Sequence, residues 1–309
     1  TLAEWKGTGN FDLDNIQLVL RKLGDPQNKV RSIHVTGTNG KGSVTAGLSS
    51  IFGASGAKVG MTISPHLSRL NERIVIDGLP IADATLDFFA LELKKCCNAL
   101  NLKLSFFEGI TAISFLAFSE LKLDWMVAEV GLGGRLDATN AIAKPEVSVI
   151  VSIDKDHEHI LGDTTARIAS EKAGIIKENC RVVSGRLASE AAGVIRQVCQ
   201  HKNARLYELG RDFDLVSFPD NGRGQGAYGV CWNGQEQFSF RPSLRGRHQG
   251  ANMALCVATA DLLGVDKQAI RAGVEQLYWP ARLEKIELPF ADVLIDCAHN
   301  PAGIRSLTD

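Results

Sequence analysis

The stretch HVTGTNGKGSV, residues 34–44, decides the fold of this chain. It begins as an apolar run and ends in glycines, and the apolar residues that follow have helical spacing: Val44, Leu48, Ile51 and Phe52. We therefore predict a buried strand, a tight turn and a helix in direct succession. Glycines let the turn point its backbone N–H groups inward, and the helix N-terminus adds positive potential. With Lys41 in the turn, the stretch predicts a binding site for phosphate groups.

The residues of this predicted site are Asn39, Gly40, Lys41, Gly42 and Ser43. The pattern differs from the Walker loop, because only Thr38 and Asn39 separate the first glycine from the Gly-Lys pair. A glycine turn with a purely structural role is the alternative. The position between a strand and a helix favours phosphate binding.

Outward from this stretch, continuous apolar runs alternate with amphipathic segments. The predicted strands are 31–36, 57–63, 124–130, 146–153 and 180–184, and the predicted helices are 43–55, 83–100, 109–120 and 163–178. Runs that are apolar at nearly every position indicate strands buried on both faces of a parallel sheet. The alternation of strands and helices predicts an α/β fold with a doubly wound, mostly parallel sheet.

Residues 205–240 have a different pattern. Short alternating runs surround Asn233-Gly234, and this combination predicts a small region of β-hairpins. Two further helices are predicted at 248–263 and 266–277.

The last part of the chain predicts a change of domain. Pro280 lies in a predicted hinge, and 291–296 predicts a new strand. We expect one large domain over 1–281 and the beginning of a second, smaller α/β domain over 282–309, which is cut short at Asp309.

Composition argues against several functional classes. The 34 Lys and Arg residues against 35 Asp and Glu give a net charge of -1, so no basic field attracts nucleic acid or an acidic membrane. The seven cysteines are scattered and form no Cys-x-x-Cys pair, which argues against a disulfide framework or a zinc site. No run approaches the length of a membrane helix. We expect a cytoplasmic monomer that binds small molecules.

Three polar residues lie at or just after the ends of predicted strands, where a doubly wound sheet binds its ligands. They are Ser64, Glu129 and His157. Together they would complete the coordination of Mg²⁺, although imidazole is an unusual ligand for that ion and Ser64 alone fits an ordinary turn. Glu129 is harder to dismiss, because a carboxylate that ends an apolar strand needs a metal or a cation such as Arg135 nearby.

For the other candidate site residues, residue type alone gives weaker support for a functional role. Lys172 in SEKAGIIK fits a solvated helix lysine. Four polar residues at the predicted seam suit the base and ribose of a nucleotide: Asn252, Arg282, Asp296 and His299. A helix cap at Asn300-Pro301 and ordinary ion pairs explain the seam equally well.

Taken together, the motifs resemble those of the folylpolyglutamate synthase/dihydrofolate synthase family, a branch of the Mur ligase superfamily. In chain order the motifs are HVTGTNGKGSV, SPHLSRLNERI, FFEGITAISF, EVGLGGRLDATN, SIDKDHEHILGDT, SEKAGIIK, GRHQGANMALC, WPARLE and DCAHNPAG. The resemblance implies the central domain of a Mur ligase. It also implies ATP-dependent ligation of L-glutamate to the carboxylate of dihydropteroate or a reduced folate, through an acyl phosphate.

The resemblance further implies roles for single residues. The ATP phosphates would bind the loop residues Asn39, Gly40, Lys41, Gly42 and Ser43, and the rest of the nucleotide would bind Asn252, Arg282, Asp296 and His299. One or two Mg²⁺ ions would bind Ser64, Glu129 and His157, with a carbamylated Lys172 facing them. A monovalent cation is a further expected cofactor. The pterin would contact Phe107, Leu136 and Asp137, and the catalytic residues would be Lys41, Lys172 and His157.

The sequence departs from the family pattern at three positions, with Ser105 for Thr and with Ala281 and Cys297 for Gly. The family also implies a second domain that continues beyond Asp309 and holds much of the glutamate site. Two alternatives remain open. One is a Mur-type ligase for another amino acid and another carboxylate, and the other is a nucleotide-binding fragment without ligase activity.

Overall fold

The computed structural model describes residues 12–218, 226–232 and 234–308. The helices are α1 Asp14–Lys22, α2 Lys41–Ala54, α3 Asp83–Ala99, α4 Phe106–Glu120, α5 Glu158–Leu161, α6 Thr165–Ala173, α7 Ser189–His201, α8 Arg247–Leu262, α9 Lys267–Glu275 and α10 Pro301–Thr308. The strands are β1 Arg31–Thr36, β2 Val59–Thr62, β3 Ile74–Ile76, β4 Leu79–Pro80, β5 Trp125–Glu129, β6 Val147–Ile150, β7 Arg181–Ser184, β8 Arg205–Glu208, β9 Phe213–Phe218, β10 Ala227–Trp232, β11 Gln235–Phe240, β12 Glu284–Leu288 and β13 Ala291–Ile295. Within these ranges, no helix has the length and apolar character needed to cross a membrane.

An eight-stranded sheet with the order β4-β3-β2-β5-β1-β6-β7-β8 forms the centre of the molecule. The strands from β2 to β8 in that order are parallel, and β3 and β4 run antiparallel at one edge. The prediction of an α/β fold with a doubly wound, mostly parallel sheet is confirmed. Because β1 lies between β5 and β6, the loop after β1 lies beside the loops after its two neighbours. The polar candidates therefore lie near one another at the carboxyl ends of these strands.

Helices cover both faces of the sheet, which explains the continuous apolar runs. On β5, Val127 belongs to the core on the face of α2 and α8, whereas Met126 and Ala128 belong to the core on the opposite face. On β1 every residue except Arg31 is buried. Side chains of a strand alternate between faces, so a strand covered on both sides is apolar throughout.

The hairpin region is only partly as predicted. Strands β9, β10 and β11 form an antiparallel three-stranded sheet, as expected, although Asn233 of the predicted Asn-Gly turn lies outside the described residues. Residues Arg205–Glu208 are different, because they form β8, which pairs in parallel with β7 at the edge of the large sheet. The sequence pattern there is short and mixed, since an edge strand needs few apolar residues.

The C-terminal residues form a hairpin and a helix. Strand β13 matches the predicted strand 291–296, but it pairs in antiparallel fashion with β12, which falls directly after the predicted hinge. Helix α10 follows and begins at Pro301. Patterns in the sequence also missed α1 and α7.

The packing of α9 against α2 depends on a glycine. A Cβ atom on Gly273 would lie 2.4 Å from Ile51 Cα, whereas a Cβ atom on Gly193 in α7 would meet nothing within 4 Å. We expect Gly273→Ala to lower the free energy of unfolding by about 1–3 kcal/mol, because the two helices must separate. The matched variant Gly193→Ala should leave it unchanged or raise it by about 1 kcal/mol through helix propensity. Urea unfolding measures both, and equal effects of the two substitutions would contradict this account.

Candidate active site

The predicted phosphate loop is a tight turn pinned to the end of β6. The Thr38 N–H donates to Ser152 O at 2.9 Å, and the Asn39 N–H donates to Ser152 Oγ at 2.9 Å. Gly40 has a φ of 82°, in the left-handed region that favours glycine. These hydrogen bonds and the conformation of Gly40 therefore fix the shape of the loop.

The interior of the loop holds polar groups that suit an anion. Lys41 Nζ donates to Gly37 O at 3.0 Å and to Thr38 O at 3.2 Å. Ser43, in the first turn of α2, is 1% exposed, and its hydroxyl has no partner among the described residues. An ammonium group, a free hydroxyl and a helix N-terminus lie together here, and this combination fits phosphate oxygens and their counter-ion.

Glu129 ends β5 beside this loop and is 5% exposed. Burial raises the pKa of its carboxyl to about 7, and the charges of Lys41 and Arg282 together with the N–H of Ser64 oppose that rise. The Ser64 N–H donates to Glu129 Oε2 at 3.1 Å. Because these partners compensate the burial only in part, the pair Ser64 and Glu129 fits a bound cation such as Mg²⁺.

The sequence suggests Arg135 as a candidate cation for Glu129, but Arg135 pairs with a different carboxylate. Its guanidinium lies 2.9 Å from Glu171 on α6, and its backbone N–H donates to Glu171 O at 2.8 Å. A Cβ atom on Gly134 would come within 2.8 Å of that same carbonyl oxygen. The glycine-rich turn after β5 is thus packed directly against α6.

Lys172 on α6 is 3% exposed, so the interpretation as a solvated helix lysine is wrong. Burial and then the charge of Lys41 lower the pKa of its ammonium to about 7, while Asp156 and Asp137 oppose this change. Lys172 Nζ donates to Gly37 O at 2.9 Å. Near neutral pH a large share of this amine is uncharged, and an uncharged amine is the form that reacts with carbon dioxide to give a carbamate.

His157 lies at the margin of the loop. It has a φ of 50° before α5, and its Nε2 lies 3.9 Å from Asp156 Oδ1. Asp156 in turn accepts a hydrogen bond from Asn300 Nδ2 at 2.9 Å, and the same amide donates to Asn39 Oδ1 at 3.0 Å. In the described ranges, no group of three or more His, Cys, Asp and Glu side chains is spaced to hold a metal ion.

The seam residues Asn252 and Arg282 contact the loop directly. A Cβ atom on Gly40 would lie 2.6 Å from Asn252 Oδ1, and one on Gly42 would lie 3.5 Å from Arg282 Nη2. Sequence reasoning missed Trp279. A Cβ atom on Gly42 would lie 3.4 Å from its Nε1, and this Nε1 is buried without a partner among the described residues. Its only signal was its place in the WPARLE motif.

Asp296 and His299 lie farther along the seam. Asp296 accepts the N–H groups of Leu283 at 2.9 Å and Ala298 at 2.7 Å, so it holds the seam loop together. His299 is exposed, and its Nδ1 lies 2.9 Å from Cys297 O. The structure therefore places Asn252 and Arg282, but not His299, in contact with the loop glycines.

The three predicted pterin residues flank the turn after β5. A Cβ atom on Gly131 would lie 2.5 Å from the ring of Phe107, so the ring packs directly on this turn. Leu136 is half-buried and Asp137 is buried. The turn combines an aromatic face with a buried carboxylate, and a flat heterocycle with ring N–H groups fits both.

Asp137 is fixed by a hydrogen-bonded chain that sequence reasoning missed. Its carboxylate accepts from Leu132 N–H at 2.9 Å and from the hydroxyl of Thr139, and burial raises its pKa. Thr139 Oγ1 also lies 2.8 Å from Nε2 of His34 on β1. Since the hydroxyl donates to Asp137, it accepts from Nε2–H of a neutral His34.

The departures from the family pattern have visible consequences. Ser105 caps α4 by accepting the Glu108 N–H at 3.3 Å, as threonine would. Ala281 has a φ of 54°, in the region that favours glycine. Cys297 donates its N–H to Ala281 O at 3.2 Å, so both substituted positions belong to one turn of the seam.

Fold and site together match one class of protein. The Mur ligase middle domain matches residues 35–260, which include the phosphate loop, Glu129 and Lys172. Folylpolyglutamate synthase of Lacticaseibacillus casei is 38% identical over 308 residues, which cover 96% of this chain and 71% of that protein. The dihydrofolate synthase/folylpolyglutamate synthase of Bacillus subtilis is 36% identical over 318 residues, with the same coverage. The chain belongs to the folylpolyglutamate synthase/dihydrofolate synthase family of ATP-dependent ligases.

Solved structures agree with this assignment. A complex of FPGS with AMPPCP and folate superimposes with a TM-score of 0.93 at 35% identity, covering 99% of this chain and 77% of that one. Folylpolyglutamate synthase of Mycobacterium tuberculosis, complexed with ADP and AMPPCP, gives a TM-score of 0.89 at 34% identity, covering 96% and 70%.

The chain through Thr139 predicts a pH dependence of stability. The pKa of His34 falls from 6.5 to about 3 in the folded protein, mainly through burial and also through Lys177. The folded state therefore binds fewer protons than the unfolded chain between these pH values. The contribution of His34 to the free energy of unfolding is fully present above pH 6.5. It falls by about 1.4 kcal/mol per pH unit as the pH drops from 6.5 toward 3. Glu129, whose pKa is raised to about 7, contributes a slope of opposite sign in both proteins. We therefore expect the difference in free energy of unfolding between the wild type and His34→Gln to change by about 1.4 kcal/mol per pH unit below pH 6.5.

Urea unfolding of the wild type and His34→Gln from pH 8 to pH 5 measures the difference. The exposed His201 at the end of α7 provides the control, because His201→Gln should keep the wild-type slope. A wild-type slope in His34→Gln would show that His34 is not held neutral in the folded protein.

Proposed function

We propose that this chain catalyses the ATP-dependent ligation of L-glutamate to the carboxylate of dihydropteroate or a reduced folate. One observation carries the proposal. The phosphate loop, the buried Glu129 and the turn after β5, which contains Asp137 and packs on Phe107, lie together at the carboxyl ends of the central strands. The names of the relatives and the complex of FPGS with AMPPCP and folate support the same substrates.

The chemistry follows from the substrates. A carboxylate is a poor acyl donor because its carbonyl carbon resists attack by an amine. One of its oxygens therefore first attacks the γ-phosphorus of ATP, and ADP leaves with the electrons of the broken P–O bond. The glutamate amine then attacks the carbonyl carbon of the acyl phosphate, phosphate leaves, and the amine loses a proton. In the first step the carboxylate and the ATP phosphates that it approaches are all negative. Lys41 and the N–H groups of the loop offset this repulsion.

The proposed metal ligands are Ser64, Glu129 and His157. The partly compensated burial of Glu129 supports a cation there, and one or two Mg²⁺ ions with a monovalent cation suit the set. Bound Mg²⁺ would supply positive charge for the phosphates. Ser64 and Glu129 would orient it, and His157 would join them from the opposite side of the loop.

Lys172 is the proposed site of the carbamate. Its burial and lowered pKa support this modification, and the nearby Lys41 would stabilise the negative charge that it creates. A carbamate would turn a buried cation into a carboxylate able to face Mg²⁺.

The remaining residues complete the proposal. Asn39 to Ser43 would hold the phosphates, and the nucleotide would extend toward Asn252, Arg282, Asp296 and His299. Phe107, Leu136 and Asp137 would hold the pterin.

We also propose one domain over 1–281 and a second over 282–309, and the pairing of β12 with β13 supports this division. We further propose a cytoplasmic monomer whose partners are small molecules.

ADP release tests the proposed reaction. We expect sustained ADP release from ATP only when both dihydropteroate and L-glutamate are present, because without the amine the reaction stops at the acyl phosphate after a single turnover. L-Aspartate should not replace L-glutamate, and p-aminobenzoate should not replace dihydropteroate. ADP release that needs neither substrate, or that accepts these analogues equally, would contradict the proposal.

Removal of Lys172 tests the carbamate. We expect Lys172→Ala to lower kcat by about 100-fold or more, since the charge that orients the metal is lost. Acetate or formate should restore part of the activity by filling the vacated space. Lys177 provides the control, because its amine is also partly buried but donates to Asn140 O, outside the loop. Carboxylates should not change the activity of Lys177→Ala, and full activity of Lys172→Ala would refute the carbamate.

A further inference from the structure

Arg73 is a half-buried cation beside the site to which neither the motifs nor the proposed mechanism gives a role. It ends the loop that follows β2 and contains Ser64. The loop is folded back on itself, because the carboxylate of Glu72 accepts the N–H groups of Leu67, Ser68 and Arg69. Arg73 is therefore held by an ordered loop.

Three contacts fix the position of Arg73. Its carbonyl oxygen accepts the N–H of Ile63 at 3.2 Å, so its backbone lies beside the residue that precedes Ser64. Its Nε donates to His66 Nδ1 at 2.8 Å, and its Cζ lies 5.2 Å from the ring centroid of Phe106. The guanidinium is thus oriented by an imidazole and by an aromatic ring at the start of α4.

The charge of Arg73 is not neutralised by an ion pair. Within the described ranges, none of its nitrogens lies within salt-bridge distance of a carboxylate, and its two terminal nitrogens donate to no acceptor. Burial lowers the pKa of Arg73, and the charge of Glu129 opposes this change. An arginine remains protonated under such conditions. The positive charge and the N–H donors of the two terminal nitrogens, a fork of parallel donors, are therefore available to a ligand.

The neighbours of Arg73 define what the fork can bind. Phe106 adjoins Phe107, the proposed wall of the pterin site, and Glu129 belongs to the proposed metal site. A pteroate whose ring lies on Phe107 must bring its carboxylate toward Glu129 and the phosphates. Arg73 contacts the ring of Phe106 and interacts electrostatically with Glu129, so it adjoins both places. A planar guanidinium matches a carboxylate with two parallel hydrogen bonds.

We propose that Arg73, oriented by His66 and Phe106, binds the carboxylate of the pteroate or folate acceptor and holds it for attack on ATP. The inference rests on the proposed function and adds a residue to its acceptor site. Arg73 offsets the repulsion between the carboxylate and the γ-phosphate, and it favours a substrate with an anionic end over a neutral analogue.

Binding of two acceptors in the presence of AMPPCP tests the assignment without turnover. Pteroic acid carries the carboxylate, and its carboxamide has the same shape without the charge. We expect the wild type to bind pteroic acid about 10- to 100-fold more tightly than the carboxamide. In Arg73→Gln this preference should disappear because only pteroic acid binds more weakly, and Arg73→Lys should keep part of it. The affinity for AMPPCP should not change.

Arg69 provides the matched control, since it lies in the same loop but is exposed and pairs with Asp83 at 3.1 Å. Arg69→Gln should keep the wild-type preference for pteroic acid. If Arg73→Gln weakens both compounds equally, or weakens neither, the inference is wrong although the proposed function stands. If the wild type binds neither compound, the proposed function fails and the inference fails with it.

Discussion

Two lysines donate to one backbone oxygen at the centre of this molecule. Lys41 Nζ lies 3.0 Å and Lys172 Nζ 2.9 Å from Gly37 O. Two ammonium groups on one carbonyl repel each other, and the burial of Lys172 increases the cost of charging both. The arrangement is favourable only when an anion enters or when one amine becomes neutral or negative. This constraint supports the proposed binding of phosphates at the loop, and it contributes to the lowered pKa of Lys172.

The sheet is what brings these groups together. Parallel strands send their carboxyl ends to one edge, so the loops after β1, β2, β5 and β6 meet although they are distant in the sequence. Glycines then permit close approach, and a side chain on Gly37 or Gly40 would contact the loop after β6 or the amide of Asn252. The site therefore needs small residues where the sheet edge is most crowded.

The C-terminal seam closes the same site from the other side. Asn300 caps α10 by accepting the N–H of Gly303 at 2.8 Å, which is the helix-cap role considered from the sequence. It also contacts Asn39 and Asp156, so one amide connects the seam to both the phosphate loop and the His157 segment. The helix cap at Asn300 is therefore confirmed, and the binding of a nucleotide at the seam stays a prediction.

Most of the large sheet could be predicted from local patterns in the sequence. The strands buried on both faces are continuous apolar runs, and the glycine turn between β1 and α2 carries its own chemistry, so both were predictable from local patterns. The polar groups that meet at the site could not be predicted in this way, because their contacts depend on the complete fold. Four features each depend on residues that are far apart in the chain. They are the burial of Lys172, the pairing of Arg135 with Glu171 rather than Glu129, the hydrogen-bonded chain from His34 to Asp137 and the position of Arg73 beside Phe106. The edge strand β8 likewise belongs to the large sheet only because β7 offers it a partner. Burial and partner choice depend on the whole fold, and no local spacing encodes them.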